Sequence, residues 1–207
     1  KGIWVAKKRY ILNAHDVEGV RYKEPKLKIM GVEAVKSSTP AACREKIKEA
    51  LTIIMNEDDK VLNSFIQDFR TEFMNLKPEL IAYPRSVNGL NKWTESHNLF
   101  KKGAPIHCKG AILYNHLLQD KKLQGKYPYI QEGDKIKFLH MKTPNVYQST
   151  SISFMTKLPN ELNLHNFIDY DMQFEKSFVE PLKFITNIIK WQIDDSYGTQ
   201  GTLEGFF

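Results

Sequence analysis

The chain has 207 residues, 42% of them hydrophobic, which is enough to bury a core in one or two domains and excludes a disordered chain. Its 30 Lys and Arg against 24 Asp and Glu leave a net charge of +6, a sign that favours an anionic partner such as nucleic acid. No apolar run is long enough to span a bilayer, no signal-peptide pattern opens the sequence, and Cys43 and Cys108 are too few for a disulfide framework. A soluble chain with buried, unmodified thiols in a reducing compartment is therefore expected.

From residue 1 to about 33 the pattern is β, with two β-rich runs on either side of the turn-forming residues 16–19. The first run, "WVAKKRYILN", carries Lys7, Lys8, Arg9 and Tyr10 in succession. In a continuous strand Lys7 and Arg9 face one side and Lys8 and Tyr10 the other, so cations occupy both faces. A solvated edge strand guarded by lysines explains this. A face that holds a nucleic-acid backbone explains it too, since Lys reaches phosphates, Arg offers a bidentate fork and Tyr a stacking surface.

From "SSTPAACREKIKEALTIIM" the period changes. Cys43, Ile47, Ala50, Leu51 and Ile54 recur at helical spacing, with Thr39 as the expected N-cap before Pro40. A second helix is expected in "VLNSFIQDFRTEFMNL", with the stripe Leu62, Phe65, Phe69, Phe73 and Leu76 read as core. There follow a short strand at "LIAYP", a polar segment at residues 85–103, a helix at "HCKGAILYNHLLQ" and strands at "DKIKFLHM" and "SISFM". In the two strands Ile136 with Phe138, and Ile152 with Phe154, share a side. The last helical stretch, "HNFIDYDMQFEKSFVEPLKFITNIIKW", contains Pro181, which is expected to kink or divide it.

The end of the sequence, "QGTLEGFF", fits the spacing Gln, two residues, aliphatic, two residues, two aromatics, at Gln200, Leu203, Phe206 and Phe207. One turn of such a peptide gathers Leu203 and both rings into an apolar plug for a partner. The alternative is a tail folded back onto its own core. The spacing resembles the sliding-clamp-binding peptide of DNA replication and repair proteins.

"KKRYILNAHDVEGVRYKEPKLKIMGVEAVKSSTP" closely resembles the end of the palm and the start of the thumb in the family B replicative DNA polymerases of T-even-like bacteriophages. "GAPIHCKGAILYN" and "FEKSFVEPLKFI" resemble later thumb segments in colinear order. The resemblance implies an α+β chain, a mainly helical thumb with small antiparallel β elements preceded by a β segment from the palm. It divides the chain into a palm end (residues 1–35), a thumb (36–195) and a clamp-binding tail (196–207). It also implies DNA contacts at Lys7, Lys8, Arg9 and Tyr10, at Lys28, Ser37 and Ser38, and at Asn88, Lys92, Trp93, His107 and Lys109. Lys109 stands where Arg is common and residues 103–105 replace a Cys-Pro element, so one bidentate fork is lost.

Nucleotidyl transfer needs two metal ions about 4 Å apart held by acidic residues, and the family's aspartates lie before "KKRY". Asp169 and Asp171 in "DYD" fall in a helical pattern where residues two apart diverge, and the six histidines show no metal-binding spacing. The expectation is therefore no metal and no catalytic residue in this chain, with Mg²⁺ and dNTP bound by the missing palm. The implied partners are primer-template duplex DNA, the remaining palm, fingers and exonuclease, and a sliding clamp, in the cytoplasm of an infected host cell, without a membrane. A stand-alone DNA-binding and clamp-tethering module, or a structural protein with a basic surface, are the other readings.

Overall fold

The first thirty residues fold as three antiparallel strands rather than two: β1 (Gly2–Ala6), β2 (Arg9–Val17) and β3 (Val20–Met30), in the order β1-β2-β3. These and all other coordinates come from a computed structural model that describes residues 1–95 and 98–194. Glu18 (φ 53°) and Gly19 (φ 81°) are both left-handed between the partners Val17 and Val20. Such a two-residue loop matches the twist of an antiparallel pair, and Asp16 Oδ1 accepts from Gly19 N–H at 3.1 Å. The extra reversal falls at Lys7 and Lys8, which form the turn between β1 and β2. The expectation of a cationic strand interior is thus corrected. Ala6 pairs with Arg9, which leaves the two lysines at a hairpin tip.

Ile3, Ile11 and Ile29 are cross-strand partners and so share a face, which joins the main core. Lys1 Nζ donates to the Ile54 carbonyl at 2.8 Å and Asn13 Nδ2 to Asn56 Oδ1 at 3.3 Å, fixing this sheet on the end of the first helix. That helix, α1 (Ala41–Asn56), buries Cys43, Ile47, Ala50, Leu51 and Ile54 as its spacing predicts. Its N-cap is Pro40, not Thr39. The Thr39 hydroxyl instead donates back to the Glu33 carbonyl at 2.8 Å, because the chain enters α1 from a 3-10 turn at Glu33–Val35 that competes for it.

Asp58 caps α2 (Asp59–Phe73) by accepting from Val61 N–H. Phe69 packs edge-on against Phe73 and Phe178 and tilted against Phe174, at centroid separations of 4.7 to 5.8 Å, so the aromatic stripe is core. The predicted strand at "LIAYP" is half wrong. Leu80 and Ile81 lie in a helical turn, α3 (Pro78–Ile81), and the strand β4 (Tyr83–Ser86) begins later, because Pro78 sits at the first helical position and nucleates the turn. After α4 (Leu90–Trp93) comes α5 (Ile106–Asp120), then β5 (Lys135–His140) and β6 (Ser151–Phe154), in a second antiparallel sheet ordered β4-β5-β6.

The second sheet defeats simple alternation. Every residue of β6 is buried, including Ser151 and Ser153, because α5 lies directly on it. Their hydroxyls donate to the Ile106 and His107 carbonyls at 2.6 and 2.8 Å, which is how buried serines are satisfied. Gly110 is what lets helix and strand approach. A Cβ there would lie 2.5 Å from Ser153 Oγ, 2.6 Å from its backbone nitrogen and 2.7 Å from the Ile152 carbonyl carbon.

The last helical stretch is divided, as Pro181 predicts: α6 (Tyr170–Phe174), a π-turn at Glu175–Val179 and α7 (Glu180–Thr186). Proline lacks an N–H and crowds the preceding turn, which a widened π-turn relieves. Buried Gln173 ties this stretch to the sheet. It donates to the Ile81 carbonyl at 2.6 Å and accepts from His140 N–H at 3.1 Å. Both cysteines are buried free thiols, and burial pushes Cys43 up to about 12. Among the described residues no helix is long and apolar enough to cross a membrane.

Candidate nucleic-acid interface

Lys7 and Lys8 are exposed at the β1-β2 tip, and Lys8 holds a left-handed backbone at φ 63°. A non-glycine L-residue there costs about 1 kcal/mol, and Asn or Gly would remove most of it. The tip therefore carries two exposed cations on a backbone that costs local stability. Behind it, Gly31 (φ 64°) closes against the turn. An added Cβ would stand 2.3 Å from the Lys8 carbonyl oxygen and 3.2 Å from Arg9 Cγ. Gly31→Ala should therefore cost about 1 to 2 kcal/mol and displace the tip without removing a cation. Gly19→Ala is the control, since it has the same sign of φ but its Cβ meets nothing. Duplex titration should show a loss of about threefold to fivefold for Gly31→Ala only, the size of one weakened phosphate contact.

Tyr10 opposes Trp4 and Met30, and Leu12 opposes Lys28, so Tyr10 and Lys28 share the sheet face turned away from the core. Trp4 is 65% exposed and its ring centroid lies 6.4 Å from that of Tyr10. The face combines aromatic surface with ammonium groups, a composition suited to a sugar-phosphate backbone.

From Gly31 the chain passes through buried Val32 and Ala34 to Ser37, which is exposed, and Ser38, which is half-buried. Arg85 on β4 meets it there, donating from Nη1 to the Ser38 carbonyl at 3.2 Å and to the Pro84 carbonyl at 3.0 Å. Its guanidinium carbon lies 5.7 Å from the Tyr83 ring, which stacks on Phe138. Arg85 thus holds the Ser38 carbonyl, and its charge is felt at His107. Burial first, and the Arg85 charge second, depress the His107 pKa. Arg85 is not among the DNA contacts that the sequence implies. The available signal was the period-2 spacing of Tyr83 and Arg85 at the border of the polar segment.

The sign of the His107 effect can be tested. As pH falls through about 6.5, the unfolded imidazole takes its proton first, so the fold loses stability in that window and the loss is complete below the depressed folded pKa. A nearby phosphate pulls the other way by favouring imidazolium. Lowering the pH from 7.5 to 5.5 should therefore strengthen duplex binding by roughly threefold more in the parent chain than in His107→Gln, as one titrating contact would. Equal pH profiles would remove His107 from the interface.

Asn88 is exposed, and its carbonyl accepts from Cys108 Sγ at 3.6 Å. The Glu132 carboxylate accepts from Gly89 and Leu90 N–H, which sets the start of α4. That short helix presents Lys92, exposed and 4.9 Å from the centre of the Trp93 ring. Lys109, one turn into α5, lies 5.6 Å from the Phe100 ring. Exposed Lys101 and Lys102 line a shallow cleft with Lys109 and Tyr147 and extend the cationic surface beyond the predicted residues. Gln200, Leu203, Phe206 and Phe207 lie outside the described residues.

Asp169 and Asp171 serve separate structural roles. Asp169 caps α6 by accepting from Met172 N–H at 2.9 Å, and Asp171 pairs with Arg70. Among the described residues no group of three His, Cys, Asp or Glu side chains could hold a metal ion. The described residues do not fit a two-metal centre.

No family model matches the chain. It is 34% identical over 185 residues to the DNA-directed DNA polymerase of Enterobacteria phage T4, a match that covers 87% of this chain and 20% of that protein. It is also 34% identical over 194 residues to the DNA-directed DNA polymerase of Escherichia phage RB69, covering 91% of this chain and 21% of that protein. The chain is related to the T-even phage DNA polymerases. It spans about a fifth of the length of these curated relatives. The similarity runs across the chain as a whole, sheet and helical body together, rather than through one short motif.

Proposed function

We propose that this chain is the palm end (residues 1–35) and thumb (36–195) of a phage-type family B DNA polymerase, with a clamp-binding tail at residues 196–207. It grips primer-template duplex behind the growing end. The observation that carries this reading is the exposed Lys7-Lys8 tip, with left-handed Lys8 and half-buried Arg9 at the start of β2, in a chain similar over about nine tenths of its length to phage polymerases. The outer face of Tyr10 and Lys28 and the surface of Ser37, Arg85, Asn88, Lys92, Trp93, His107 and Lys109 supply further phosphate and sugar contacts. Such contacts read the backbone, so binding is independent of sequence and falls steeply with salt.

Mg²⁺ and dNTP belong to the rest of the palm, and the chain alone does not polymerise. The fingers, exonuclease and remaining palm are its partners in the infected cell. Gln200, Leu203, Phe206 and Phe207 tether the assembly to a sliding clamp.

Primer extension tests the assignment, run with this chain alone, with the remaining polymerase alone and with both, beside duplex binding over a salt series. Synthesis only in the mixture is the expected result. Salt-dependent binding with no restored synthesis would overturn it in favour of a DNA-binding and clamp-tethering module.

A further inference from the structure

A groove of about 400 Å³ runs along α2 between Asn63 and Arg70 and is closed on its other side by α6, the π-turn and α7. Its floor is apolar, with Ile66, Phe174 and Val179 nearly fully buried, and Met172 stands 42% exposed beside them. A cavity of roughly 150 Å³ accommodates one benzene ring, so this groove has room for two. Two of its residues, Glu175 and Val179, belong to the π-turn, an irregularity concentrated at functional sites.

The chain itself leads into the groove. Asn63 Nδ2 donates to the Gln192 carbonyl at 3.1 Å, and its Oδ1 accepts from Asp194 N–H at 3.0 Å. This latch pins the last described residues to α2, and Ile193 and Asp194 form part of the groove wall. Leu203 lies nine residue steps beyond Asp194, a span that can reach up to about 30 Å. The groove extends only about 10 Å along α2, seven residues at 1.5 Å each. A segment tethered this closely acts at an effective concentration on the order of millimolar. Its sequence supplies Leu203, Phe206 and Phe207, three apolar side chains that need cover.

We propose that residues 202–207 fold back and seat Leu203, Phe206 and Phe207 in the groove between α2 and α6 to α7, so that self-docking competes with the sliding clamp for the same side chains. The competition rests on the clamp-binding reading above; the docking does not. Before a clamp is met, the groove shields two phenylalanines that would otherwise promote association. The clamp must displace them, so its apparent affinity falls by the fraction of tails held in the groove.

The test uses the full chain and Met172→Arg, which places a charge on the exposed side of the groove without touching the buried floor. Carboxypeptidase release of Phe207, and the ¹⁹F resonance of 4-fluorophenylalanine at position 207, report docking. Anisotropy with the sliding clamp of a T-even phage reports capture. Release of Phe207 should be about tenfold slower in the parent chain than in Met172→Arg, and the variant should bind clamp up to tenfold more tightly by linkage. Equal release rates would overturn the proposal. So would protection that grows with protein concentration, which would assign the groove to a second copy. Faster release with unchanged clamp affinity would overturn the competition. Protection lost in Met172→Arg with no clamp binding by either chain would uphold self-docking and sink the clamp reading.

Discussion

Gly110→Ala should destabilise the chain by about 3 kcal/mol, the upper end of the overpacking range, which corresponds to a fall of about 10 °C in the midpoint of thermal unfolding for a chain of this size. The added methyl meets three atoms at 2.5 to 2.7 Å, and two of them, Ser153 N and the Ile152 carbonyl carbon, are backbone. A serine side chain can rotate away, but the backbone of β6, paired with β5 and covered by α5, cannot. Ser153→Ala in the Gly110→Ala background should therefore recover less than a third of the loss, because it removes only the Oγ contact. Relief must come from lifting α5 off β6, which breaks the Ser151 and Ser153 bonds to the Ile106 and His107 carbonyls. Thermal and urea unfolding followed by circular dichroism measure this. A loss under 1 kcal/mol would mean that the helix and strand are not packed as described.

Replacing Lys7, Lys8 and Arg9 together by alanine should weaken duplex binding by about a hundredfold near 0.1 M salt and lower the slope of log K against log salt by about 2 to 3. Each phosphate contact contributes about 0.9 to that slope. Both lysines are exposed at the turn, and alanine carries no greater left-handed cost than the lysine at φ 63°, so the fold should survive. The control removes equal charge at the exposed positions Lys60, Lys121 and Lys157, and should lower the slope by less than 1. Nitrocellulose or anisotropy titrations at four salt concentrations separate the two sets. Matching slopes for the two triple variants would show that net charge, and not the tip, drives binding.

Helical periodicity alone located α1 and α2, because an amphipathic face records its burial every three to four residues. Pro181 announced the break in the last helix, since a missing N–H acts wherever the residue is placed. The candidate cations were equally legible: "KKRY" breaks a strand pattern in the sequence itself. What was not legible is where the strand reverses. Lys7 and Lys8 lack turn chemistry, and only the pairing of β1 with β2 on one side and the fit of Gly31 behind the Lys8 carbonyl place them at a tip.

Arg85 shows the same limit. Its link to Ser38 spans 47 residues and its influence on His107 crosses from sheet to helix, so neither can be read from spacing. Residue types and local period determined which elements form and which side chains carry charge. Tertiary structure decided which of those charges share a surface, because long-range pairing and close approaches such as Gly110 on β6 depend on neighbours distant in sequence.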